Sequence, residues 1–188
     1  MRKNLGPKTY FLPLPVLLIS TYDNDGIPNI MNAAWGGIHD TNQVHLCLTA
    51  SHKTSLNIKN KGCFTLAFCD AKHVAEGDYL GIESGNKVKD KVKKSGLKIE
   101  KSEFVDAPII SELPISLDCK ISKSHEENDT LYIVADIINV SVNENVLDEK
   151  GKIDSSKLHI ISFNPVDNTY VELGNTVGKA FFDGLKLR

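Results

Sequence analysis

Two short stretches hold the residue types from which a ligand site could be built. The first is Asn29-Ile30-Met31-Asn32-Ala33-Ala34-Trp35-Gly36-Gly37. A strand interior normally carries large β-branched residues, yet here the side chains turn small and polar where a strand should end. Small side chains let a flat ligand lie against backbone N–H and C=O groups, and they equally suit a strand packed closely on a neighbour. The second stretch is Thr49-Ala50-Ser51-His52-Lys53-Thr54, just ahead of a short predicted helix. Ser51 or Thr54 could simply cap that helix. A cap needs only one of them, however. Two hydroxyls, a lysine and free amides at a helix N-terminus also describe a phosphate site. Together the stretches suggest a ligand with a planar aromatic end and a phosphate end.

Other chemistries are excluded or weakly signalled. There is no G-x-G-x-x-G or G-x-x-x-x-G-K-[ST], and H-E-x-x-H and G-x-S-x-G are absent too. Asp70, His73 and Glu76 are spaced by three on a probable helix, which reads as a solvated face rather than a metal site. Cys47, Cys63, Cys69 and Cys119 form no C-x-x-C pair and lie in apolar runs, as free buried thiols of a reducing compartment would. The run Phe11–Ser20 contains Pro13 and Pro15 and has no small-residue cleavage pattern, so a cytoplasmic protein without a membrane anchor is expected. With 22 Lys+Arg against 24 Asp+Glu, the formal net charge of −2 gives no basic excess for nucleic acid.

These residues must be held by a scaffold, and 188 residues with 41% hydrophobic content suit one domain spanning 1–188. Val16–Tyr22 reads as a strand entering the turn Asp23-Asn24-Asp25-Gly26, and Ile27–Trp35 as a second strand. Val44, Leu46 and Leu48 alternate with polar neighbours and predict a third. A helix should follow from about Thr54 to Asn60, anchored by Leu56, and then a buried strand over Cys63–Cys69. Ala71–Gly81 looks helical. Lys87–Lys94 packs five lysines into eight residues; Val88 and Val92 could seat it as a one-sided helix. Such a run is ordinarily a solvated face, the alternative being attraction of an anionic ligand. Strands are expected again at Ile115–Ser122, at Thr130–Val142 (long enough to be bent or bulged) and at Leu158–Phe163, with a polar loop over Ser124–Asp129. Strand follows strand too often for a doubly wound sheet. A mainly β fold with short helices, a closed or nearly closed barrel, is predicted.

A ligand aromatic at one end and phosphorylated at the other fits FMN. At this point the sequence resembles the flavin reductase-like FMN-binding proteins, the flavoredoxin branch in particular, from about Pro13 to Phe182. The resemblance rests on Pro15–Ser20 with Asp25-Gly26-x-Pro28-Asn29, then Asn32-Ala33-Ala34-Trp35, then Ser51-His52-Lys53-Thr54-x-x-Asn57-Ile58. Asp78-Tyr79-x-Gly81, Ser84-Gly85 and Tyr170-x-x-Leu173-Gly174-x-x-Val177-Gly178 continue it. The order and spacing of these segments carry the match. Many relatives have a Pro-Pro pair where this chain has Thr41-Asn42.

The resemblance implies an FMN-binding split β-barrel. It implies that Asn32, Ala33, Ala34 and Trp35 line the isoalloxazine ring and that Ala50, Ser51, His52, Lys53 and Thr54 hold the ribityl phosphate. Lys53 would be the phosphate countercharge and Ser51 and Thr54 hydroxyl donors. It further implies a homodimer with FMN near the subunit interface, approached by Ser84 and Lys91. The activity implied is electron transfer from NAD(P)H through FMN to free flavin, ferric iron or a protein acceptor. An FMN electron carrier without NAD(P)H oxidase activity is the alternative. The cofactor does the redox chemistry, so no catalytic side chain is nominated.

Overall fold

A computed structural model describes residues 1–188. The apolar run after Pro13 supplies β1 (Leu14–Pro15) and β2 (Leu17–Tyr22). The turn that follows is built by its own residues. Asp23 Oδ1 accepts from the amides of Asp25 and Ile27 at 3.0 and 2.9 Å, and Gly26 takes the left-handed φ of 77° that the reversal requires. The chain then makes β3 (Pro28–Ala33), β4 (Gly36–Asp40) and β5 (Gln43–Thr49). Helix α1 (Lys53–Lys61) and β6 (Cys63–Phe68) come next, then α2 (Val74–Ile82) and the one-turn α3 (Lys91–Ser95). A small hairpin of β7 (Ile99–Lys101) and β8 (Pro108–Ile110) precedes the long strands β9 (Ile115–Glu127) and β10 (Thr130–Val142). The last strands are β11 (Ile161–Asn164) and β12 (Thr169–Glu172).

Seven strands form one antiparallel sheet in the order β3-β2-β6-β9-β10-β5-β4. The sheet curls on itself, because a single buried cluster draws on strands far apart in that order. Leu17 and Ile19 of β2 share it with Leu46 and Leu48 of β5, and with Phe64, Leu117, Leu131 and Ile133. Each such fully buried Leu, Ile or Phe contributes about 1.5–3 kcal/mol relative to exposure. Curling brings the edge strands β3 and β4 to a common seam, bridged by Ala34-Trp35. Gly36 marks the closeness: a Cβ there would stand 2.6 Å from Leu46 Cδ2 and 3.0 Å from Leu17 Cδ1. The expected mainly β split barrel is the fold observed.

The outer face of β3-β2-β6 carries a second cluster. Leu18, Ile30, Ala67 and Cys69 pack there against Leu80 of α2, Val92 of α3, Ile110 of β8 and Ile161 of β11. The two helices therefore lie along the edge strand β3, beside the seam. α1 reaches the barrel between β5 and β6, with Ile58 in the inner cluster.

Several expectations need correction. The strand predicted over Ile27–Trp35 ends at Ala33, and β4 was not anticipated, since its glycines and His39-Asp40 lack an apolar alternation. α1 is anchored by Ile58, fully buried, whereas Leu56 is exposed. Its buried face is largely polar: Thr54, Ser55 and Asn57 lie against the barrel, and Asn57 Nδ2 donates to Thr21 Oγ1 at 3.0 Å. Apolar spacing therefore pointed to the wrong side. The loop predicted over Ser124–Asp129 is mostly strand. β9 runs to Glu127, and Asn128 and Asp129, at φ 48° and 60°, make the two-residue hairpin turn. The bend expected in Thr130–Val142 is present as register shifts at Val134/Ala135 and Ile137/Asn139. The four cysteines are free, and Cys47 is only partly buried.

Candidate functional site

The seam opens as a groove with two lobes that share Met31, Asn32, His52, Gly81 and Ile82. The larger lobe, of about 390 Å³, lies against the end of β3 and the Ala34-Trp35 bridge, and is mainly apolar. The smaller, of about 170 Å³, lies between the start of α1 and the segment leading to α3.

The small lobe gathers donors and positive charge. His52 is the residue at the cap position of α1, and no side chain caps the helix. The amides of Lys53, Thr54 and Ser55 therefore find no acceptor in the protein, although Thr54 and Ser55 are buried. Unmet amides at the positive end of a helix favour a negative group. Asn29 fixes the corner: its Nδ2 donates to Thr54 Oγ1 at 2.7 Å. Gly85 lies tight against Asn29 Oδ1, where a Cβ would collide.

Two lysines stand at this lobe, in different states. Lys53 Nζ pairs with Asp23 Oδ2 at 3.1 Å and keeps partial access to solvent. Burial pushes the Asp23 carboxyl up, but the amides of Ile27 and Asp25 and the Lys53 ammonium outweigh it and hold it below its usual range. Lys91 is buried and donates to the carbonyls of Leu80 and Glu83 at 3.0 and 2.8 Å, where α2 ends. Burial pulls its ammonium down to about 8. The lysine run thus keeps one of its members out of solvent, contrary to the reading of a wholly solvated face.

The large lobe contains no lysine or arginine. Trp35 forms part of its wall, with more than half of its surface exposed at 59%. Asn32 Nδ2 donates to the carbonyl of Gly77 at 3.1 Å, tying β3 to α2. A Cβ on Gly81 would stand 3.1 Å from Asn32 Cβ, so the helix approaches the strand closely there. The wall is completed by Asp78 of α2 and by Phe163 and Tyr170, brought in by the C-terminal strands.

Most of the residues predicted from sequence meet at this groove. Asn32, Ala33, Ala34 and Trp35 line the large lobe, Lys53, Thr54, Ser84 and Lys91 the small one, and His52 both. Two do not. Ala50 is buried in the barrel core, and Ser51 is exposed with its carbonyl accepting from Asn86 Nδ2 at 3.1 Å. Ser51 therefore neither caps α1 nor lines the groove. Thr41-Asn42 lies at the far end of the β4–β5 hairpin from Trp35, away from the lobes. Reasoning from sequence missed the roles of Asn29, Asp78 and Tyr170 at the site. Asp78 and Tyr170 touch across 92 residues, a separation that no local pattern reports.

Elsewhere, Asp70 and His73 form a local turn, His73 Nδ1 standing 2.7 Å from Asp70 Oδ1, and no group of three metal-ligating side chains assembles. A cavity of about 450 Å³ lies under the β7–β8 hairpin. Its buried carboxylate, Asp118, already accepts from Ser102 Oγ at 2.6 Å and Asn139 Nδ2 at 3.0 Å.

This barrel, with a helix N-terminus opening on its seam, defines a class. Residues 9–159 match the flavin reductase like domain, and the chain belongs to that family. Within it the chain stands in the flavoredoxin branch. It is 35% identical to the flavoredoxin of Desulfovibrio vulgaris (Miyazaki F), with a TM-score of 0.91 over 98% of this chain and 100% of that one. It is 26% identical to the flavoredoxin of Methanosarcina acetivorans, with a TM-score of 0.89 over the full length of both. A protein of Aquifex aeolicus is 26% identical over 153 residues, 78% of each chain.

Proposed function

We propose that the chain binds FMN in the seam groove and passes electrons from NAD(P)H through it to free flavin, ferric iron or a protein acceptor. One observation carries this reading: the groove joins an apolar lobe, free of lysine and arginine, to a lobe of uncapped helix amides flanked by two lysines. A planar ring suits the first and a phosphate dianion the second. The residues therefore fit the cofactor. When bound, FMN supplies the hydride and single-electron chemistry.

The protein's own part is positioning and electrostatics. The amides of Lys53, Thr54 and Ser55 hold the phosphate, and Asn29 orients the Thr54 hydroxyl for it. Lys53 and Lys91 supply charge, Lys53 shared with Asp23. Ala33 and Ala34 let the ring approach the β3 backbone, and Trp35 walls it from solvent on one side.

The identity with a flavoredoxin, 35% over nearly the whole chain, favours a second reading. In it the protein is an FMN electron carrier that does not oxidise NAD(P)H itself. A homodimer with the groove near the interface is part of the proposal. Trp35, Ile38 and Ile82 are 59%, 70% and 72% exposed around the seam, and such apolar surface calls for a partner. Four free thiols favour the cytoplasm, and no helix is long and apolar enough to cross a membrane.

The deciding experiment is a visible spectrum of the purified protein followed by anaerobic titration with NADH and NADPH. A flavin spectrum bleached by either nicotinamide is expected. Flavin that stays oxidised with both selects the carrier, and a protein that neither carries nor takes up FMN removes both readings.

A further inference from the structure

The large lobe holds one acidic residue and no lysine or arginine. Asp78, on α2, is half-buried in its wall, and Tyr170 of β12 donates its hydroxyl to Asp78 Oδ1 at 2.8 Å. The Tyr170 ring is braced by Phe163, with centroids 6.0 Å apart and planes tilted by 55°. Burial, reinforced by the Asp78 carboxylate, pushes the Tyr170 phenol up to about 12, so the hydroxyl keeps its proton and acts as the donor. The Asn32 amide donates to the Gly77 carbonyl at 3.1 Å and also lies against the Tyr170 hydroxyl, opposing part of that rise. The lobe that suits a redox-active ring thus carries a fixed carboxylate on its wall, with one aromatic residue to orient it.

Resting on the FMN reading above, we propose that Asp78, positioned by Tyr170, sets the reduction potential of the cofactor by keeping a negative charge beside its ring. Two electrons from an external reductant, taken up with one proton, add one negative charge to a flavin ring. A second proton cancels it. A carboxylate in a half-buried lobe opposes the added charge far more than one in open water would. It therefore favours the oxidised form and lowers the potential. The Tyr170 hydroxyl draws part of the carboxylate's charge toward itself and limits the effect. The phosphate lobe, with its lysines, is the wrong end of the groove to offset it.

The test uses FMN-loaded wild type, Asp78→Asn and Tyr170→Phe. Each is titrated with dithionite against a reference dye, with the affinity for oxidised FMN measured alongside. Asp78→Asn, whose affinity for oxidised FMN is read separately from its potential, keeps an oxygen for the Tyr170 hydroxyl. It should favour reduced over oxidised FMN by about tenfold, the size of a nearby like-charge interaction, a positive shift of about 30 mV for a two-electron couple. Tyr170→Phe should move the potential the other way and by less. Unchanged potentials in both loaded variants overturn the proposal while leaving FMN binding intact, and so does a loss of stability alone. If Asp78→Asn does not fold, a zero or positive shift in Tyr170→Phe overturns it. A wild-type protein that takes up no FMN overturns this inference together with the function it rests on.

Discussion

The two lobes of the seam groove are made in opposite ways. The small lobe centres on one short stretch, the uncapped start of α1 at His52-Lys53-Thr54, with Asn29 fixing Thr54 and the end of α2, Ser84-Gly85 and Lys91 closing it. Its chemistry is that of a helix N-terminus, a strong signal over a few residues. The large lobe is assembled from β3, the Ala34-Trp35 bridge, β5, α2 and the C-terminal strands, and its defining features are an apolar lining and the lack of lysine and arginine. One lobe is therefore specified by charge and directed donors, the other by shape. A ligand bridging them should respond to changes in each lobe through different parts of itself.

The largest expected effect breaks the small lobe. Lys53→Ala removes a cation from the small lobe, where the phosphate is proposed to bind, and leaves Asp23 without its lysine partner. FMN binding should weaken by about 1.5–3 kcal/mol, the worth of a hydrogen bond to a charged group. Riboflavin, which has no phosphate, should bind both proteins nearly alike. Fluorescence titration with the two flavins measures the contrast. Equal losses would mean that Lys53 does not act on the phosphate and that the lobes are not distinct in this sense.

A smaller and complementary effect is expected from the large lobe. Trp35→Ala removes an aromatic wall that is 59% exposed and therefore only partly packed. The loss should be about 1 kcal/mol, within the range for one aromatic pair, and it should be the same for FMN and riboflavin. A loss confined to FMN would place the tryptophan at the phosphate end and reverse the assignment of the lobes.

The same contrast explains what could be read before the fold was known. That Lys53, His52 and Thr54 line the groove was legible because hydroxyls and a lysine at a helix start are a local pattern, and Asn32–Trp35 because a strand that turns small and polar is a local anomaly. The barrel was legible from the density of strand signals and the long run Thr130–Val142, which is β10 to the residue. Ala50 and Ser51 do not line the groove, because neighbours in sequence point to opposite sides of a chain leaving a strand, one into the core and one to solvent. Asp78 and Tyr170 carried no assignable role, since their meeting depends on β12 returning beside α2. Lys91 sat in a run whose charge argued for solvent. Only the fold shows that it turns inward to the end of α2.

Lys91 supplies the finest test of the small lobe, because it can be altered by protons alone. Burial lowers its ammonium from the ordinary 10.5 to about 8. Between those values the unfolded chain holds a proton that the folded chain has released, so stability should rise as pH goes from about 8 to 10.5. Below 8 the cost of burying the charge is present in full. A phosphate bound close to Lys91 holds its proton, so FMN binding takes up a proton above pH 8 and its affinity should fall as pH rises through that value. Riboflavin should show no such slope. Lys91→Met should flatten both curves, in chemical denaturation of the flavin-free protein and in flavin titrations across the same pH range. If FMN and riboflavin show the same slope in the wild type, Lys91 serves only to close α2, and the phosphate is held by Lys53 and the helix amides without it.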